Sequence, residues 1–297
     1  MTCFSGAPRE GRPFALYTQR MKRVAGALML LVGVGFFFAV VEQRPSGLRI
    51  AFLDVGQGDA IFIQSPTGVQ ILIDGGPDSS VVRELSQAMP LWDRSINALV
   101  VTNPDQDHFA GFLDVLERYD VARVFESGTA KDSATYKALQ RRIVEEGATR
   151  TLPKRGEVLD LGGGVSLRVL FPDRDVSGLD SNPGSLIMQL SYGSTTALLT
   201  GDTIEAVENF VVALDGRALT SQILKLGHHG SRTSSGEKLL DAVLPEVAIV
   251  SASCDNSYGH PHEEVLARLA ARSIPYLWTC KEGTIEFVSD GNEWKRD

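Results

Sequence analysis

The chain has 297 residues, 43% of them hydrophobic and 22% charged, which is ordinary globular material long enough for one large or two small domains. Its formal net charge of −8 excludes a general polyanion-binding surface, so a nucleic-acid substrate would have to be drawn by local cations and a metal. Three cysteines, at positions 3, 254 and 280, show neither CxxC pairing nor zinc-ribbon spacing and carry no site by themselves.

Residues 24–41, VAGALMLLVGVGFFFAVV, form an uncharged, almost wholly apolar run. As a helix the run would extend about 27 Å, against a hydrocarbon core of about 30 Å. Arg9, Arg12, Arg20, Lys22 and Arg23 precede it, so the positive-inside bias keeps residues 1–23 in the cytosol and sends the body across. The expectation is a single-pass membrane anchor with the C-terminal domain on the non-cytoplasmic side. A cleaved signal peptide, giving a secreted protein, is the alternative; the stretch Phe38 to Glu42 lacks a small-x-small cleavage site. Met21 before Lys22 and Arg23 also looks like a translation start, which leaves residues 1–20 as a cytosolic tail or a mis-assigned extension.

After a linker over 42–47, the body spans 48–297. LRIAFLDV (48–55) and AIFIQ (60–64) read as strands around the turn GQGD, whose glycines permit positive φ. A third strand over 69–73 ends on Asp74-Gly75-Gly76, a helix follows at about 79–89, and the strand over 96–101 leads into TNPDQDHFAG. This loop sets Asn103, Asp105, Asp107 and His108 within six positions, oxygen and nitrogen donors suited to a hard or borderline divalent ion. The competing reading is a polar turn. Pro104 keeps the loop irregular until His108 opens a helical pattern continued by Phe112, Leu113 and Leu116. A short strand over 122–125 and a charged surface helix over 131–147 come next. Strands return from Glu157, with Gly162-Gly163-Gly164 as a hairpin turn. A strand pair over 185–200 ends on Gly201-Asp202; a helix over 204–214 and a strand over 221–226 lead to Gly227-His228-His229-Gly230. The tail alternates helix 236–243, strand 246–252, a loop, helix 262–272, and strands 275–279 and 284–288. Cys254 and Cys280 each follow one of these strands, so the strands could be parallel neighbours and the thiols could pair outside the cytosol.

All five histidines, at 108, 228, 229, 260 and 262, lie in polar loops after apolar strands, as do Asp74 and Asp202. In a sandwich of sheets such strand ends can converge on one edge, which would assemble the inventory of a metal-dependent hydrolase. The ordered series LDVGQGDAIFIQ, ILIDGG, TNPDQDHFAG, SLIMQLSYG, LLTGD, LKLGHHGSRTSS and NSYGHPH resembles the metallo-β-lactamase superfamily, and within it the C-terminal hydrolase domain of ComEC-type DNA-uptake proteins. The resemblance covers about residues 48–290.

It implies an α/β fold, the four-layer αβ/βα sandwich, holding one or two divalent ions (zinc or manganese, with magnesium as an option) and hydrolysing a phosphodiester, DNA above all. By position, Asp105, Asp107 and His108 would bind one ion, Asp202 would bridge two, and His229, less so His228, would complete the second. Asp74 would orient the metal loop from behind. Asn103 stands where the superfamily has histidine, and its weak neutral amide would loosen the first site. Asp107 would hold the attacking water, while His260 or His262 would protonate the leaving oxygen or hold phosphate. The alternative for the latter two is a helix start. Ser231 and Arg232, with Thr233 and Ser234, could clamp phosphate, with Lys225 a weaker candidate. With one apolar run, the chain cannot itself be the DNA pore; it could accompany a separate DNA-uptake channel or serve phosphate or nucleic-acid scavenging. Two other functions stay open: a phosphodiesterase on cell-wall or choline-phosphate polymers, and a non-catalytic anchored binding module.

Overall fold

The computed structural model describes residues 1–3, 21–33, 47–90 and 92–297. Residues 21–33 are helical and exposed; the second half of the expected anchor, 34–41, lies outside the described residues. Among the described residues no helix is long and apolar enough to cross a membrane. The body from Pro45 onward is a separate compact unit.

The body opens with β1 (Leu48–Phe52), β2 (Ile61–Gln64), β3 (Gln70–Ile73), β4 (Ser95–Val101), β5 (Asp120–Glu126) and β6 (Thr149–Thr151). These pair in chain order. The second sheet takes β7 (Val158–Gly162), β8 (Val165–Phe171), β9 (Ile187–Tyr192), β10 (Thr195–Leu199), β11 (Ile223–Lys225), β12 (Val247–Val250) and β13 (Tyr276–Trp278), also in chain order. The chain then returns to the first sheet, where β14 (Ile285–Ser289) pairs antiparallel with β1 and β15 (Trp294–Arg296) closes the edge.

Strands buried on both faces need apolar residues at nearly every position, and the alternation of side chains sorts them into layers. Ile71 and Ile73 of β3 face the second sheet, whereas Leu72 faces outward beneath the helices Ser80–Ala88, Phe112–Val115 and Ala134–Glu146. The mirror arrangement holds in the second sheet. Ala197, Leu199 and Ile223 point inward, and Leu198 and Leu224 lie under Val211, Leu240 and Leu269 of the outer helices Glu205–Asp215, Glu237–Val243 and Glu263–Ala271. Three apolar layers between four layers of structure make the αβ/βα sandwich that the resemblance implies.

Direction within the sheets sets the site. β3, β4, β5 and β6 run parallel, as do β10, β11, β12 and β13. Parallel neighbours end on the same edge, so the loops after β3, β4, β10, β11 and β12 crowd together, the usual place for ligands in α/β sheets.

Two expectations shift in detail. The helical pattern after β4 begins at Gln106, not His108, so Asp107 and His108 both sit on the one-turn helix Gln106–Phe109 and their spacing is fixed by it. The three-residue strands β6 and β15 have no periodicity to betray them, being polar, mostly exposed edge strands.

β12 and β13 are indeed parallel neighbours, and Cys254 and Cys280 beyond their ends form a disulfide with Cα atoms 5.5 Å apart. The bridge spans 26 residues, a loop length for which closure entropy contributes roughly 3 kcal/mol. Cys3 is free and exposed. In protein isolated without reductant, Cys254 and Cys280 should therefore resist alkylation until reduced, while Cys3 reacts at once; mass spectrometry showing all three thiols modified under native isolation would contradict the bridge.

Candidate metal centre

Asp74 begins the site. It ends β3 with a left-handed backbone (φ 58°), a conformation that aspartate tolerates better than most side chains. Its carboxylate accepts the Thr102 amide at 2.8 Å and the Thr102 hydroxyl at 2.6 Å, tying β3 to β4. The same group lies 2.8 Å from His108 Nδ1. A carboxylate that accepts from Nδ1 fixes the tautomer, leaving Nε2 with its lone pair free for an ion. His108 Nε2 points to Asp202, 2.9 Å from Oδ2.

The second histidine is prepared in the same way from the other sheet. His228 and His229 both adopt left-handed φ (49° and 56°), and Gly230 follows at 82°. A side chain at Gly230 would place a Cβ 2.7 Å from that of Pro261, so only glycine lets the loop close. This strained turn carries His229 into the interior, where Nδ1 lies 2.8 Å from the Ser251 carbonyl beyond β12. A carbonyl can only accept, so Nδ1 carries the proton. Nε2 faces Asp107 Oδ2 at 3.3 Å and Asp202 Oδ2 at 3.4 Å.

Ligand atoms of Asp107, His108, Asp202 and His229 all lie within 4.8 Å of one another. His108 Nε2, His229 Nε2 and Asp202 Oδ1 are buried with no hydrogen-bond partner of acceptable geometry. Two buried Nε2 atoms left unpaired beside two carboxylates are costly, and a divalent cation among them would satisfy both. The mixed nitrogen and oxygen set suits zinc, manganese or iron. A second triplet, Asp59, Asp74 and His108, meets the same spacing. There Asp74 accepts from Thr102 and lies against His108 Nδ1, and Asp59 Oδ2 pairs with Lys225, which makes the first cluster the stronger candidate for an ion.

Burial opposes charge on these groups, and their mutual contacts override it. Burial would hold the His108 and His229 imidazoles down, yet Asp202 with Asp74 raises the first, and Asp202 with Asp59 the second, well above the ordinary range. Against the same burial, the two histidines hold Asp202 well below the usual carboxylate range and bring Asp107 down as well. The carboxylates and imidazoles of the site thus favour one another's charged forms against burial.

Asp59 is the residue missed in the sequence. Fully buried at the end of GQGD, it pairs with the buried Lys225 ammonium and lies 3.4 Å from His229 Nδ1. Despite burial, Lys225 and His229 bring its pKa down to about 2. Its amide donates to the Asp107 carbonyl at 3.2 Å, and a Cβ on Gly58 would overlap that same carbonyl, so the GQGD turn is a brace for the metal helix. Lys225 is accordingly committed to the core and is no phosphate clamp. The signal available was Asp59 alone, a carboxylate between two largely apolar strands. Glu208 was also missed. Buried under the turn after the histidine pair, it accepts the Ser235 and Gly236 amides at 2.7 and 2.9 Å, and burial pushes its pKa up to about 7.

The remaining sequence candidates divide. A cleft of about 310 Å³ over the cluster is lined by Gln57, Asp105, Gln106, Asp107, Lys131, Asp202, His228, His229, Tyr258 and His260. Asp105 thus borders the cleft, but its carboxylate is engaged by the Lys131 ammonium and by the Ser181 hydroxyl at 2.9 Å. Asn103 is fully buried: its Oδ1 accepts the Asp105 amide at 2.8 Å and its Nδ2 donates to Asn182 and Ser185 at 2.8 and 3.1 Å. The structure gives it the part of a loop brace, and a histidine there would displace those partners. His228 stands at the cleft wall, 3.9 Å from Asp202 Oδ2. His260 faces the cleft, its pKa pushed down to about 4 by burial and the neighbouring imidazoles. His262 does not line it; its Nδ1 accepts the Arg232 amide at 3.2 Å at the start of Glu263–Ala271. Ser231 is buried against Thr233, and neither it nor Arg232 lines the cleft.

The family described as Metallo-beta-lactamase superfamily matches residues 53–254. The chain is 31% identical over 288 residues to ComE operon protein 3 of Bacillus subtilis strain 168, covering 90% of this chain and 37% of that protein. It is 30% identical over 270 residues to competence protein ComA of Neisseria gonorrhoeae, covering 88% and 35%. It thus spans a little over a third of the length of these relatives. Among solved structures, Igni18, a metallo hydrolase from Ignicoccus hospitalis, superposes with a TM-score of 0.54 at 14% identity, covering 81% of this chain and 99% of that one. The diiron β-hydroxylase CmlA from Streptomyces venezuelae gives 0.52 at 15% identity, covering 82% and 55%; at such identities both speak for the fold alone.

Metal ligation needs the Nε2 atoms of His108 and His229 free of protons, and the neighbouring carboxylates raise both pKa values, so metal and protons compete for this site. Calorimetric titration of manganese or zinc into ion-free protein at pH 7 should release protons, seen as a binding enthalpy that varies with buffer ionisation enthalpy, and affinity should rise with pH. An enthalpy independent of buffer would contradict the assignment.

Proposed function

The chain belongs to the metallo-β-lactamase superfamily, and from that membership we propose that it is a metal-dependent phosphodiesterase, a nuclease acting on DNA at the outer face of a membrane. The observation that carries the proposal is the convergence of two tautomer-fixed imidazoles and two carboxylates on one point at the floor of an open cleft. A bound divalent ion supplies an acidified water and polarises a phosphoryl oxygen.

The chain's own groups do the rest. Asp107, the most open of the four with its side chain 32% exposed, stands where a carboxylate can orient the attacking water. Asp202 and His229 hold the opposite side of the point. His260, neutral at pH 7 because its pKa is near 4, donates a hydrogen bond to a phosphate oxygen and is unsuited to delivering a full proton to the leaving group. Lys131, ion-paired with Asp105, is the one lysine or arginine lining the cleft among the described residues, and exchanging that carboxylate for a substrate phosphate would give an acidic chain its local cation.

DNA as substrate is supported by the relatives, one named a competence protein and another a Haemophilus influenzae protein named recombination protein 2, which is 30% identical over 226 residues. The outer-face location is supported by the basic residues before the apolar run 24–41 and by the Cys254–Cys280 bridge, since disulfides persist in oxidising compartments. Finding these thiols reduced in membrane-isolated protein would count against it.

Purified full-length protein loaded with manganese or zinc should hydrolyse bis-p-nitrophenyl phosphate and DNA, and Asp107→Ala should lower kcat by about a hundredfold or more. No turnover with any of these ions, or an Asp107→Ala variant as active as the parent, would sink the catalytic reading.

A further inference from the structure

The loop between β12 and the helix Glu263–Ala271 carries a feature that the hydrolytic site does not use. Tyr258 lines the cleft yet is 65% exposed. Its ring is stacked on that of His260, with centroids 5.7 Å apart and planes inclined by 22°. His260 in turn packs edge-on against His228 and His262, at 5.3 and 5.0 Å between centroids. The aromatic column thus runs from the metal cluster outward and ends in an open tyrosine.

The loop is built to keep that ring in place. Asn256 stands at its centre: its Oδ1 accepts the amides of Tyr258 at 3.2 Å and His260 at 2.9 Å, and its Nδ2 donates to the carbonyls of Ser253 at 2.7 Å and His260 at 2.6 Å. The disulfide at Cys254 fastens the loop where it leaves β12. A ring with two torsions, already ordered by stacking and by its loop, loses little entropy when a second flat group settles on it. Lys131, contributed by the segment after β5 in the first sheet, lines the same cleft, where its ammonium rests on the Asp105 carboxylate and can exchange it for a backbone phosphate.

We infer that Tyr258 is a stacking platform for a nucleobase next to the scissile phosphate, so that the substrate is a nucleic-acid strand unpaired at that nucleotide. The inference rests on the phosphodiesterase reading and narrows it. A cation for the backbone and an exposed aromatic ring for a base are the two elements by which single strands are held without sequence preference. A base within a duplex already has its faces covered by its neighbours, and a polyol-phosphate polymer has no ring to offer.

The test compares kcat/KM of the full-length, manganese-loaded protein on an oligothymidylate, on the same backbone with abasic residues, and on the oligothymidylate annealed to its complement. The parent protein should prefer the single-stranded thymidylate to the abasic strand and to the duplex by about tenfold. Tyr258→Ala should bring the thymidylate-to-abasic ratio close to one, and Tyr258→Trp should keep it. A merely structural role would lower both strands together and leave the ratio intact, which overturns the inference, as does a parent enzyme indifferent to bases or to pairing. Cleavage with such indifference leaves the phosphodiesterase reading standing; no cleavage of any strand overturns both.

Discussion

The centre depends on one constraint applied twice: each of two buried imidazoles has its Nδ1 occupied by a fixed acceptor, so that its Nε2 faces the same point. For His108 the acceptor is Asp74, itself locked by Thr102; for His229 it is the Ser251 carbonyl. The acceptors come from strands neighbouring those that carry the histidines. Parallel pairing of β3 with β4, and of β11 with β12, is therefore what sets the metal geometry. Sheet register and ligand orientation are one fact described at two scales. A slip of one residue in either pair would turn the loop donors away as well as inverting the core face.

The same edge must tolerate a dense negative charge. Asp59, Asp74 and Asp202 are almost entirely buried, and a carboxylate in such a place is affordable only when it is paired or donated to. Asp59 has Lys225 and Asp74 has Thr102 and His108. Asp202 has only the imidazoles, and its Oδ1 is left without a hydrogen bond. Its Oδ2 faces the Nε2 atoms of both histidines, so Asp202 is the carboxylate that shares their point of convergence. Lys225 explains how a second acid can sit behind the site without raising its demand for cations.

Much of this was legible from the residues. The strands were apolar runs, and the candidate ligands Asp107, His108, Asp202 and His229 stood beyond their ends in motifs whose order resembled one superfamily. What escaped was what acts through tertiary contact. Asp59 looked like a turn residue because its partner Lys225 lies 166 positions away in the chain. Lys225 read as a weak phosphate-clamp candidate because a lysine is rarely buried without a partner, and the sequence does not name Asp59 as that partner. Asn103 read as a substitute ligand by position, yet its amide is consumed by Asn182 and Ser185 from a distant loop. His260 and His262 were indistinguishable as a motif, and only the direction of the loop separates a cleft residue from a helix-start residue. Lys131, read as the first residue of the charged surface helix over 131–147, gave no sign that it would border the site; the helix begins at Ala134.

The central claim is that Asp107, His108, Asp202 and His229 form a metal centre at the edge between the sheets. It is tested most directly by anomalous diffraction from crystals of the protein soaked in manganese. The account predicts an anomalous peak within about 2.0–2.6 Å of Asp107 and Asp202 oxygens and of the Nε2 atoms of His108 and His229. An ordered cluster with no peak among these atoms under saturating manganese or zinc, or a peak held by other residues, would contradict it.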